Sequence, residues 1–215
     1  MSEPASDGAG DTIDRLELYA DYVCPFCFLG KRSLERYRER RDQPLEVDWQ
    51  PYDLRRGKRN PDGTIDHDAD DGKDDDYFAQ ARENVRRLQE RYDVEMAQEL
   101  AIEVDSLPAQ QVSLHVKREY SDRWASFDEA IYAALWEDGR EIDDTDVLAD
   151  LATDAGLPGD VVTDALEDDG LRATLEERFD DARRQGVTGV PTFVSQGHAA
   201  RGAVPPEQLE QLVGQ

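Results

Sequence analysis

A chain of 215 residues with 50 acidic against 25 basic side chains has a formal net charge of −25, which repels nucleic acid and anionic membranes alike. Its hydrophobic content of 38%, with three Trp, eight Tyr and six Phe, suffices for a packed core, and no stretch approaches the length of a membrane span. The acidity is spread along the chain, Asp outnumbers Glu, and only four Lys (Lys31, Lys58, Lys73, Lys117) accompany 21 Arg, a pattern that reads as a haloadapted surface from a halophilic source rather than a patch for a cationic client.

Residues 1–14 are rich in Ser, Gly, Ala and Asp, with no apolar run, and read as a disordered tail. No targeting segment is visible, so a cytoplasmic location is expected. Residues 16–23 alternate and then turn apolar, which suits a strand. The strand runs into Cys24-Pro25-Phe26-Cys27. Pro25 suits the first turn of a helix, where its missing N–H would lack a partner anyway. A helix is expected over 26–41, with Phe26, Leu29, Ser33, Leu34 and Tyr37 on one face. Residues 45–50 alternate as a second strand, ended by Pro51.

From 55 to 76 the chain is polar and Gly-rich and reads as a loop. Helical periodicity then fills the middle. Tyr77, Phe78, Ala81, Val85, Leu88 and Tyr92 recur at spacings of three and four, and the signal returns over 109–120, 124–138, 144–155, 158–168 and 170–185. These stripes are read as core packing. A turn and strand follow at 189–194, a second strand at 199–204 joined through Gln196-Gly197, and a short helix from Glu207 to Val213. The order is β-α-β, a mostly helical middle, then β-β-α. The expected architecture is an α/β domain from 15–58 and 187–215, interrupted by a helical domain over 59–186.

Two cysteines three apart at a strand-to-helix junction bring their sulfurs within bonding reach. The open helix N-terminus points its free N–H groups and positive dipole at the first sulfur, so Cys24 is the expected nucleophile. Cys27, one turn in and more buried, is the expected resolving thiol. A zinc site would need four ligands, whereas the chain has no further Cys, and His67, His115 and His198 stand far apart without ligand spacing. No metal is therefore expected. With a CxxC upstream and a β-β-α end downstream, Val190-Pro191 fits the loop that faces the CxxC helix in a thioredoxin-like fold, and a cis Val190–Pro191 bond is expected.

The run Asp21-Tyr22-Val23-Cys24-Pro25-Phe26-Cys27-Phe28-Leu29-Gly30-Lys31 resembles the start of the DsbA-like family that contains the FrnE proteins. Gly189-Val190-Pro191-Thr192-Phe193-Val194, with Ala203-Val204-Pro205-Pro206 after it, resembles that family's cis-proline end. The resemblance implies a thioredoxin fold with a helical domain inserted in the middle, disulfide oxidoreductase activity on protein or peptide thiols and disulfides, and no cofactor beyond the redox-active cysteine pair. Pro25, Phe26, Val190 and Pro191 are then the expected client-binding residues. The chain departs from many FrnE-like sequences, which carry Trp or Tyr near positions 26 and 28, in having Phe at both. Thioredoxins and DsbA place a buried carboxylate six residues before the first cysteine, where this chain has Leu18. The nearest acid is Asp21, expected either to move the proton during resolution by Cys27 or to be a solvated loop residue or helix cap.

Two rival functions share these features. The 2-hydroxychromene-2-carboxylate isomerases and kappa-class glutathione transferases have the same helical insertion and cis-proline, use a low-molecular-weight thiol, and usually keep a single reactive residue where Cys24 sits. A redox-responsive peptide-binding chaperone would use the same groove without catalysis.

Overall fold

The computed structural model describes residues 13–70 and 72–214, so most of the tail expected over 1–14 lies outside the described residues. Asp14 already belongs to the central strand, β1 (Asp14–Ala20). Leu16, Leu18 and Ala20 are buried on one face of it and Tyr19 on the other, as a strand covered on both sides requires. Helix α1 (Pro25–Glu39) leads to β2 (Leu45–Pro51), which pairs parallel with β1, setting Leu18 opposite Trp49 and Ala20 opposite Pro51. Near the other end of the chain, β3 (Thr192–Ser195) lies antiparallel to β1 with Thr192 opposite Tyr19. Strand β4 (His198–Arg201) completes a sheet ordered β2-β1-β3-β4. Gln196 and Gly197, at φ 49° and 84°, join β3 to β4 with the doubly positive turn that matches strand twist.

Between β2 and β3 the described residues form a 3-10 turn (Arg56–Lys58) and six helices: α2 (Asp75–Tyr92), α3 (Leu107–Glu119), α4 (Ser121–Trp136), α5 (Thr145–Asp154), α6 (Val161–Glu167) and α7 (Asp169–Arg184). Helix α8 (Pro206–Val213) follows β4 and packs on α1, while α7 packs on β2. The acid-rich composition serves the helix starts: Asp74, Asp144 and Asp168 each accept a backbone N–H as N-cap, worth about 1 kcal/mol apiece.

Two strand ends and the burial of one helix differ from expectation. The first strand stops at Ala20, because the Cys24 N–H turns back to the Asp21 carbonyl at 3.1 Å. The last strand stops at Arg201, because Gly202 takes φ 83°. The apolar stripe of α2 is only partly core. Val85 and Tyr92 are buried, but Tyr77 is 50% exposed and its ring meets Phe78 edge-on. The first turns of α2 project beyond the packed interior, so periodicity there marks a helix without marking burial.

Candidate functional site

Three segments meet at the C-terminal end of β1, and strand register decides which. Parallel pairing of Ala20 with Pro51 brings residues 52–54 alongside, where the Tyr52 N–H donates to the Ala20 carbonyl at 3.0 Å. Antiparallel pairing of Tyr19 with Thr192 brings Val190 and Pro191 to the same end. The chain leaving β1 turns through Asp21-Tyr22-Val23 into α1. The carboxyl ends of strands are where open α/β sheets commonly build ligand sites.

Cys24 is the N-cap of α1 and Pro25 its first residue. The Cys24 carbonyl accepts the Cys27 and Phe28 N–H groups at 3.0 and 3.3 Å, starting the helix with both cysteines on one side. Cys24 Sγ stands 3.5 Å from the Val190 carbonyl oxygen, and the Val190–Pro191 bond is cis. Gly30, one turn beyond Cys27, lets this approach happen: a Cβ there would lie 3.1 Å from Pro191 Cγ and 3.4 Å from Phe193 Cζ. A mid-helix glycine costs roughly 1 kcal/mol relative to alanine, and here the closeness of the proline loop explains its presence.

The sequence suggested an open helix N-terminus with Cys24 at its tip. The structure corrects this: Cys24 keeps 4% of its surface and Cys27 1%, both as free thiols. Pro25 and Pro191 are buried beside them, and only Phe26 and Val190 are half-exposed. Burial pushes the Cys27 thiol well above its usual range, and its hydrogen bond to Cys24 and the Cys24 charge push it the same way. A hydrogen bond from the Asp21 main chain pulls it partly back.

Asp21 is neither solvated nor the helix cap. It is fully buried. Its Oδ2 accepts the Leu54 N–H at 2.8 Å, and its Oδ1 accepts the Val23 N–H and Gln110 Nε2, each at 3.3 Å. Burial, then the charge of Asp53, push its carboxyl up to about 6, against hydrogen bonds from Ser106 and the two amides. Asp53 is itself buried and held by Arg59 at 2.7 Å, whose guanidinium also grips Asp105 at 2.7 Å.

Ser106, Gln110 and Asp53 carry no local sequence motif that marks them as part of a site. The available signal was polarity in an apolar helix. Gln110, Gln111 and Ser113 interrupt the buried face of α3, and all three are buried. Gln110 Nε2 donates to Asp21, Tyr52 and Ser106, Gln111 Nε2 to the Ala165 carbonyl, and Ser113 Oγ accepts from Tyr22, while Gln110 Oε1 has no partner among the described residues. No cluster of three or more His, Cys, Asp or Glu suited to a metal occurs among the described residues. No helix among them is long and apolar enough to cross a membrane.

Known proteins resemble this chain in sequence and in fold. YwbO of Bacillus subtilis, itself uncharacterized, is 28% identical over 211 residues, covering 92% of this chain and 94% of its own. The crystal structure of a probable DsbA oxidoreductase from Streptomyces coelicolor superposes with a TM-score of 0.73 at 22% identity, over 93% of this chain and 88% of that one. A 2-hydroxychromene-2-carboxylate isomerase superposes with a TM-score of 0.72 at 16% identity, over 93% and 94%. At such identities these two likenesses speak for the fold, and the isomerase shows that the fold serves more than one chemistry. The DSBA-like thioredoxin domain matches residues 15–214, from the first strand to the end of the last helix. A cysteine pair at the head of α1, facing the Val190–Pro191 loop within that span, thus sits in a chain that belongs to the DSBA-like thioredoxin domain family.

Proposed function

We propose that the protein is a thiol–disulfide oxidoreductase that exchanges electrons with protein or peptide disulfides through Cys24 and Cys27. The observation that carries this reading is the 3.5 Å approach of Cys24 Sγ to the Val190 carbonyl, with the second cysteine one turn deeper. The Cys24 thiolate attacks one sulfur of a client disulfide, and the other leaves as a thiolate. Cys27 then loses its proton and attacks Cys24. The client's second sulfur leaves with the electron pair, and Cys24–Cys27 becomes the disulfide. The client gains two electrons and the dithiol loses two. The reverse sequence oxidises a client dithiol, and the cysteine pair needs no further cofactor. Phe26 and Val190, half-buried, are the client's way in, next in sequence to the buried Pro25 and Pro191. Asp21, pushed up to about 6, takes the Cys27 proton.

The test is insulin reduction and reactivation of scrambled ribonuclease with the wild type, Cys24→Ser and Cys27→Ala. Loss of activity in Cys24→Ser, with trapping of the client as a mixed disulfide in Cys27→Ala, is the expected outcome. Turnover by Cys27→Ala equal to wild type would overturn the dithiol reading in favour of glutathione-type isomerase chemistry. Client binding unchanged in Cys24→Ser, with no turnover in the wild type, would leave a binding module.

A further inference from the structure

The aromatic layer under α1 holds a polar group that the exchange reaction has not yet used. Tyr132 of α4 is 1% exposed, and its hydroxyl has no hydrogen-bond partner among the described residues. A buried hydroxyl without a partner is destabilising, so a phenylalanine would be the better structural choice. Its ring lies 4.7 Å from that of Tyr22 and 6.5 Å from that of Phe28, centroid to centroid. Lys31 Nζ stands 4.6 Å from its ring centroid. Cys24, Cys27, Phe28 and Lys31 fall at positions i, i+3, i+4 and i+7, one stripe of α1. Tyr132 therefore packs along the stripe that carries both cysteines, and its hydroxyl makes no bond to either sulfur while both are thiols.

We infer that the Tyr132 hydroxyl is a hydrogen-bond donor to the Cys27 sulfur in its thiolate form, and that it sets the rate at which Cys27 resolves the mixed disulfide. The inference rests on the dithiol reading above. The neighbouring Tyr22 hydroxyl cannot do this, because it is committed to Asp128 Oδ1 at 2.8 Å and Ser113 Oγ at 2.7 Å. The titratable groups acting on the Tyr132 phenol are Cys27 and Lys31 from α1, Asp128 from α4, and Tyr22 and Asp21 from the turn before α1. After burial, Cys27 exerts the largest influence of any charge on it, and the phenol is held well above its usual range, hence protonated and able to donate. In the resolving step the Cys27 proton passes to the Asp21 carboxylate. The Cys27–Cys24 bond forms, the bond from Cys24 to the client sulfur breaks, and the client sulfur leaves with the electron pair. Tyr132 keeps its proton throughout.

The size of the effect follows from two opposed tendencies. A hydrogen bond to the Cys27 sulfur raises its thiolate fraction, while roughly half of that gain, on a logarithmic scale, is lost in nucleophilicity. The net expectation is a resolving step about three- to tenfold faster with the hydroxyl than without it.

Reaction with dithiobis(nitrobenzoate) separates the steps, because one coloured thiolate is released when Cys24 attacks and a second when Cys27 resolves. In Tyr132→Phe the first release should match the wild type, while the second slows about three- to tenfold and its pH–rate curve moves to higher pH. Thermal stability should be equal or higher, since no bond is lost. A purely structural hydroxyl would leave the second release and its pH curve superimposed on the wild type, and that result overturns the inference. If the variant folds poorly, fluorotyrosine incorporated at position 132 keeps the shape and strengthens the donor. A faster second release then supports the inference, and an unchanged one overturns it. Absence of a second release in the wild type would instead count against the dithiol reading itself.

Discussion

At the scale of single residues, Asp21 is where sequence reading and structure part most sharply. Three residues before a cysteine, in a turn, an aspartate reads from sequence either as a proton-transfer group or as a capping or solvated residue. In the structure it is sealed beneath Leu54, Ser106 and Gln110, all brought there by other elements. Burial is a property of contacts distant in sequence, so no local pattern could reveal it. The raised carboxyl has a stability consequence of definite sign. Its folded pKa of about 6 lies above the ordinary 3.8, so the fold favours the protonated form. That contribution is fully present below pH 4 and is lost as pH rises through 6, on the order of 3 kcal/mol in all. Asp21→Asn removes this dependence. The difference in unfolding free energy between variant and wild type should therefore move in the variant's favour by that order between pH 4 and pH 7, measured by urea titration at each pH. A difference flat across that range would show that Asp21 titrates normally. Exchange kinetics give the second readout: the acidic limb near pH 6 should vanish in the Asn variant, and an unaltered profile removes Asp21 from the mechanism.

At the scale of elements, helix α1 and the loop before β3 must be held together by something other than the sheet. The β-α-β start, the CxxC at its first junction and the β-β-α end were all legible, because strand alternation, Pro25 and the Gln196-Gly197 turn are local signals. That the loop before β3 faces the cysteine junction is an expectation the structure meets, whereas the arrival of Asp53 and Leu54 from the loop after β2 was not legible, because it depends on register across a pair of strands. Gly30 links the two levels. In sequence it is a mid-helix glycine with a propensity cost; in space it is the contact surface for Pro191. Gly30→Ala would gain roughly 1 kcal/mol of helix propensity but place a methyl 3.1 Å from Pro191 Cγ, and overpacking of that kind costs about 1–3 kcal/mol. The clash should win. The expected result is a lowered melting temperature together with slowed labelling of Cys24 by small disulfides, as the Val190 carbonyl is displaced from its sulfur. A variant of raised stability and normal reactivity would show that Pro191 yields freely and that Gly30 does not set the gap.

At the scale of the whole molecule, a net charge of −25 sets the conditions under which this fold is stable. Many of its ion pairs are exposed, such as Arg40–Glu207 and Arg140–Asp150, and pairs of this kind contribute about 0–1 kcal/mol each. They cannot offset the mutual repulsion of the excess carboxylates. The buried pairs are of another kind. Lys31 meets Asp128 at 2.5 Å and Arg59 meets Asp53 at 2.7 Å, with Asp53 2% exposed, where salt reaches little. Added KCl shortens the screening length from about 10 Å at 0.1 M to about 3 Å at 1 M, which relieves the surface repulsion and leaves the interior pairs intact. The melting temperature should therefore rise steadily between low and molar KCl, and a midpoint that is flat or falling would mean that the acidity is not a salt adaptation. The cysteine site should respond differently, because Cys24 and Cys27 lie inside the same protected interior. Exchange with an uncharged small disulfide should hold its rate across the salt series, whereas a cationic peptide disulfide, drawn in by the acidic surface at low salt, should slow as KCl rises. Parallel salt dependence for the two substrates would place the effect in the reacting sulfurs rather than in the long-range field.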